Sequence, residues 1–343
     1  MASKTYEELH GSNNWDGLLD PLNPDLRTLI LAYGDLCSAA ERALNNDEGS
    51  KYAGYSRYGK SSFFQGVMLP WAESKYTITS FIYTTTHVDY PLSFLVHQMS
   101  RKNSEFESNW MGYVAVSNDE FSNPNSDLVK TSARTQLLTQ IKELLVKYKD
   151  EKISITCTGH SLGASLATIS AFDLAANVAN PDIKVSAFGF ASPQVGNQAF
   201  KEKMEELPNL KIISIKNVND IIPKWPSKIM EWVDDKTNLV NLPKDVMLYV
   251  DVGIEILIDN KRSPYLIKET GHGLDILQVL EFHNLEGMLH IVAGYDWKSV
   301  LKKLVNMSVD LLKEKYQKAQ SWWTEKNKRK VLNDSGDWVS NRS

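Results

Sequence analysis

Gly159-His-Ser-Leu-Gly163 is the stretch of this chain best suited to chemistry. A β-prone run at 153–158 leads into it, and an alanine-rich helix-forming run follows, with Ala164, Ser165 and Ala167 on it. A serine at the apex of a strand–turn–helix is pushed clear of the sheet, with the positive end of the next helix beneath it. The tightness of such a turn predicts glycine on both sides, because neither end leaves room for a side chain. A hydroxyl held this way is placed to attack an acyl carbonyl, and Ser161 is the candidate nucleophile.

A serine hydroxyl needs a base to take its proton and a third group to orient that base. After a strand–turn–helix serine, the acid comes next in the chain and the histidine last. Asp220 closes a predicted strand at 210–216 and is followed by Ile221-Ile-Pro223, so it stands at a sheet end and is the candidate acid. Asp173 and Asp182 read as surface charges on or near the nucleophile's own helix. Three of the seven histidines follow Asp220. His272 lies between two glycines, His283 stands at the start of a predicted helix, and His290 sits two turns along it among apolar residues. Pattern alone leaves these three open, with a modest lead for His283. The side chain of His160 is expected to point away from Ser161. The backbone N–H of Leu162 is the expected oxyanion donor.

Elements able to position these groups are legible in the patterning. A helix is predicted at 26–44 after Pro24, strands at 76–86 and 110–117, and an amphipathic helix at 132–149. Strands at 153–158, 184–190 and 210–216 then alternate with helices at about 162–178 and 196–206. That rhythm predicts a mostly parallel sheet with helices on both faces. A long strand at 247–258 and helices at 282–294 and 297–323 follow. We expect one α/β domain over 8–320 and a polar tail over 324–343.

The chain has 343 residues, a formal net charge of −4, 42% hydrophobic and 23% charged residues. Nothing in that balance favours nucleic acid as a partner. No run approaches the apolar length needed to span a membrane. Two cysteines, Cys37 and Cys157, cannot form a disulfide framework, and residues 1–10 have no apolar leader run, so a cytoplasmic location is expected.

Several stretches together resemble the class II plant phospholipases A1, class 3 lipases of the α/β-hydrolase fold. They are Asn13-Asn-Trp-Asp-Gly-Leu-Leu-Asp-Pro-Leu22, Ser50-Lys-Tyr52, Ser56-Arg-Tyr-Gly-Lys60, Asn109-Trp-Met-Gly-Tyr-Val-Ala-Val116, the serine turn, and His283-Asn-Leu-Glu-Gly-Met-Leu-His290. The resemblance runs from about residue 8 to 340. It implies an acylhydrolase that cuts the sn-1 ester of phospholipids at a membrane or micelle surface, with no cofactor and no metal. It also implies His283 as the base and, through the family's Asn-x-x-Asp stretch, Asp220 as the acid, matching Asn217-Val-Asn-Asp220.

Two departures from that pattern stand out. After residue 120 the family continues through a core strand, an Arg-Gly turn and a lid-like loop; here a short polar loop leads straight to residue 132. That turn would supply the second oxyanion donor, and no Arg-Gly pair occurs in the chain. The second departure is an insertion at about 224–246. An alternative reading follows: a weak or inactive lipid-binding or interaction protein that lacks the second donor. Trp225, Ile229, Met230 and Trp232 would then form its membrane-facing or partner-facing patch. Oligomeric state is not legible.

Overall fold

The computed structural model describes residues 4–45, 55–82, 133–178, 180–227, 249–263, 282–293, 330–332 and 338–340. Among them the strands are β1 (Ser154–His160), β2 (Lys184–Phe190), β3 (Gly196–Asn197), β4 (Leu210–Asn217), β5 (Tyr249–Val250), β6 (Ile254–Ile258), β7 (Lys330–Leu332) and β8 (Trp338–Ser340). The helices are α1 (Tyr6–Leu9), α2 (Pro24–Ala43), α3 (Phe63–Gly66), α4 (Pro70–Glu73), α5 (Ala133–Lys147), α6 (Leu162–Asn177), α7 (Gln198–Glu205) and α8 (Leu285–Ala293).

β1, β2, β4 and β6 form one sheet in that order, and every pair in it is parallel. Parallel strands need crossovers, and their faces are normally covered by helices. Side-chain alternation divides the core accordingly. Phe188, Phe190, Ile213 and Ile215 point to the face covered by α2 and α8, where they meet Trp15, Leu26, Ile30 and Met288. Val185, Ala187 and Ile212 point the other way, against Ile169 and Phe172 of α6 and Phe200 of α7. Full burial of one such large apolar side chain stabilises by roughly 1.5–3 kcal/mol. The expected α/β-hydrolase arrangement, a parallel sheet with helices on both faces, is what these residues adopt.

Local signals placed most ends correctly. Asn23 caps α2 by accepting from the N–H groups of Asp25 and Leu26, with Pro24 as the first helical residue. Three expectations need correction. The long strand at 247–258 is two strands: β5 pairs antiparallel with β3, and β6 joins the main sheet. Gly253 lies between them at φ +76°, where an added Cβ would meet Ile212 at 2.6 Å, so the chain turns on a residue only glycine suits. Residues 76–82 carry no strand; Ile78 and Phe81 pack beside α3 and α4, and Ser80 Oγ donates to Gln140 Oε1. Asp173 is not a surface charge. It is 4% exposed and accepts from Arg134 Nε and Nη2 at 2.8 and 2.9 Å, and from Asn177 Nδ2. Within the polar tail, β7 and β8 pair antiparallel. The strand at 110–117, the loop at 118–131 and the helix at 297–323 lie outside the described residues.

Candidate active site

Ser161 lies between β1 and α6, with φ 56° and ψ −128°. A non-glycine residue at positive φ is strained by roughly 1–3 kcal/mol and persists only where its surroundings enforce it. Here they do. The Ser161 N–H donates to Phe190 O at 2.9 Å, extending the β1–β2 ladder through the turn. Its carbonyl accepts from Ala164 N and Ser165 N, starting the helix at once. Gly159 makes the sharp return possible: a Cβ there would fall 2.1 Å from Gly163 O. The expectation that Gly163 is equally cramped is wrong, since a Cβ on it meets nothing within 4 Å.

Asp220 follows β4 and is 1% exposed. Its own N–H donates to Asn217 O, and its Oδ1 accepts from Ile222 N at 2.9 Å, which orients the carboxylate and leaves Oδ2 to face the base. His283 lies in the turn before α8. Its Nδ1 is 2.6 Å from Asp220 Oδ2, and its Nε2 is 2.7 Å from Ser161 Oγ. With the carboxylate accepting, the proton sits on Nδ1, so Nε2 has a lone pair for the serine hydroxyl. Three residues spread over more than a hundred positions thus form one hydrogen-bonded line from carboxylate through imidazole to hydroxyl. Leu162 opens α6, so no carbonyl lies four residues back within that helix to take its N–H. Leu162 is 39% exposed beside the serine.

The remaining candidates separate cleanly. His290 is fully buried on α8, with Nε2 3.0 Å from Ser263 Oγ, and burial pulls its pKa down to about 4. It packs the core, as its apolar neighbours predict. Asp182 is exposed. His272 lies outside the described residues, as do Ile229, Met230 and Trp232; Trp225 is half-buried, and its carbonyl accepts from Gln194 N.

Two residues that sequence reasoning missed also touch the site. His160 was given no part in the site, yet its Nε2 is 2.8 Å from His283 O. Asn217 Nδ2 donates to Phe282 O at 3.0 Å. The Asn-x-x-Asp spacing drew attention to Asp220 and could have drawn it to Asn217 as well. Among the described residues no group of three or more His, Cys, Asp or Glu side chains is placed to hold a metal ion, and no helix is long and apolar enough to cross a membrane.

A parallel sheet with helices on both faces and a strained serine at a strand–helix turn, bonded to a histidine that an aspartate orients, defines an α/β-hydrolase. The Lipase (class 3) family matches residues 78–230. Phospholipase A1-IIdelta of Arabidopsis thaliana is 36% identical over 425 residues, covering 99% of this chain and 97% of its own. Phospholipase A1-II 5 of Oryza sativa subsp. indica is 33% identical over 409 residues, covering 98% of this chain and 83% of its own. A solved lipase from Rhizopus microsporus var. chinensis is similar over 46% of this chain and 50% of its own, at 20% identity and a TM-score of 0.29. The chain belongs to the class 3 lipase family, a family of ester-bond hydrolases. The alignment with the Arabidopsis relative is longer than the chain itself, 425 against 343 residues, so that relative carries residues with no counterpart here.

Proposed function

We propose that this protein is a phospholipase A1-like acylhydrolase that cleaves the sn-1 ester of phospholipids at a membrane or micelle surface. The observation that carries the reading is the hydrogen-bonded line Asp220–His283–Ser161 at 2.6 and 2.7 Å. The names of its relatives, phospholipase A1-II, support the substrate class. In this reading Ser161 Oγ attacks the ester carbonyl carbon as its proton passes to His283 Nε2. Asp220 stabilises the imidazolium, and the N–H of Leu162 donates to the developing oxyanion. Collapse of the tetrahedral intermediate breaks the ester C–O bond, and His283 returns the proton to the departing lysophospholipid oxygen. A water, deprotonated by the same imidazole, then releases the fatty acid from Ser161.

The intact line of bonds favours an enzyme over an inactive lipid-binding relative. A cytoplasmic location, also proposed, is supported by Cys37 and Cys157 being free thiols, whose pKa values burial pushes up to about 11 and about 12.

A serine-directed fluorophosphonate probe and fatty-acid release from diacyl phosphatidylcholine micelles test the reading together. Wild type should be labelled and should release the sn-1 acid; Ser161→Ala should do neither. Folded wild type that is neither labelled nor active would overturn it.

A further inference from the structure

We propose that His160 and Asn217 are positioning residues that clamp the main chain of the base, by donating to the carbonyls of two consecutive residues, His283 and Phe282. The proposal rests on the reading of Ser161, His283 and Asp220 given above. His160 is the residue before the nucleophile, and Asn217 stands three residues before the acid. Each element that presents a reacting group therefore also holds the backbone of the base that must meet it.

The chemistry of each contact is unambiguous. A carbonyl oxygen only accepts, so at 2.8 Å from His283 O the His160 Nε2 must carry a proton and donate it. Its ring also lies against the His283 ring, with centroids 4.8 Å apart and an interplanar angle of 39°. Burial, and secondarily the neighbouring His283, lowers the pKa of His160 to about 4, so it is a neutral donor at neutral pH. Asn217, 3% exposed, has its amide fixed from both ends: Nδ2 donates to Phe282 O at 3.0 Å, while Oδ1 accepts from Asn219 N and Nδ2 at 3.3 and 3.4 Å. Immediately downstream, Asn284 Oδ1 accepts from Gly287 N at 3.0 Å and anchors the start of α8. The base is thus held from β1, from β4 and from its own helix.

Such a clamp acts on orientation rather than substrate affinity. Displacement of a reacting group by about 1 Å costs on the order of 10²-fold in rate. Three variants test it: His160→Leu removes the donor, Asn217→Asp keeps the shape but replaces the donor with an acceptor, and His160→Gln retains an N–H at similar reach. Each is measured for kcat and KM on phosphatidylcholine micelles, for the rate of fluorophosphonate labelling, for thermal unfolding, and for the far-downfield proton resonance of His283 Nδ1–H. We expect His160→Leu and Asn217→Asp to fold, to lose roughly 10- to 100-fold in kcat and in labelling rate, and to keep KM within about twofold. Their Nδ1–H resonance should broaden or shift, and His160→Gln should recover most of both losses.

Folded His160→Leu and Asn217→Asp with wild-type kcat would overturn the clamp. So would a folded His160→Gln as inactive as His160→Leu, or losses that follow the unfolded fraction alone. Unlabelled, inactive wild type would instead remove the underlying assignment of the three reacting residues, and the clamp with it.

Discussion

A Cβ placed on Gly159 would lie 2.1 Å from the carbonyl oxygen of Gly163, whereas one placed on Gly163 meets nothing within 4 Å. The two glycines of the serine turn are therefore not equivalent. Gly159 is demanded by backbone passing over it, and Gly163 has open space at its α-carbon. Gly159→Ala should prevent the turn from closing, with a large loss of both stability and fluorophosphonate labelling. Gly163→Ala should fold with a melting temperature at or above that of wild type, because alanine is the better helix former. Circular dichroism melts of the two variants decide this, and equal stability would remove the distinction.

The positive φ of Ser161 makes a separate prediction about stability. Ser161→Ala and Ser161→Gly both lack the hydroxyl, so neither should hydrolyse substrate. They differ in what the backbone costs at φ 56°. Glycine adopts that conformation without strain but adds an unfolded-chain entropy cost of about 0.4–1 kcal/mol, so Ser161→Gly should be more stable than Ser161→Ala by about 1–2 kcal/mol. Urea unfolding of the pair measures the difference. A glycine variant no more stable than the alanine one would mean the strain in the turn is no larger than that entropy cost, about 0.4–1 kcal/mol.

The acid–base order of the site predicts graded effects. Asp220→Asn keeps the shape of the orienting group but presents an amide to His283 Nδ1, favouring the wrong tautomer; the expected loss in kcat is on the order of 10⁴-fold. His283→Ala should lose at least as much. Combining either with Ser161→Ala should add almost nothing further, because the three act as a unit. Steady-state hydrolysis of a chromogenic ester is sufficient, and additive losses would contradict a shared mechanism.

Stability should fall in mild acid. His160 and His290 are each lowered from the ordinary value of 6.5 to about 4, chiefly by burial. A folded pKa below the unfolded one means the unfolded chain binds more protons between the two values. The contribution is therefore whole above about pH 6.5 and is lost as the pH falls towards about 4, by on the order of 1–3 kcal/mol per site. Urea midpoints at pH 7.5, 6 and 5 should decline in that order, and His290→Leu should flatten the decline. A midpoint constant from pH 7.5 to 5 would contradict it.

Arg134→Leu tests the corrected place of Asp173. It removes both hydrogen bonds from Arg134 to a carboxylate that is 4% exposed, leaving the bond from Asn177. A loss of about 1.5–3 kcal/mol is expected in urea unfolding, with kcat unchanged because the pair sits away from Ser161. A change under 0.5 kcal/mol, the scale of ordinary surface substitutions, would return Asp173 to the surface reading.

Features that depend on neighbours along the chain were legible from residue order alone. The run of strand, tight turn and alanine-rich helix at 153–167 is a local pattern, and it located Ser161, β1 and α6. Alternation of strand and helix from 153 to 216 set the parallel sheet, because parallel strands require crossovers. Asp220 was legible as a sheet-end acid, while His283 needed the likeness of its flanking residues to a known family. Contacts between distant residues settled the rest. The burial of Asp173 under Arg134, the break at Gly253 and the open space at Gly163 each arise from atoms far off in sequence or from the exact path of the backbone. The grip of His160 and Asn217 on the carbonyls of His283 and Phe282 is of the same kind. Main-chain carbonyls leave no mark in a sequence, so the residues that hold them come into view only when the chain is folded.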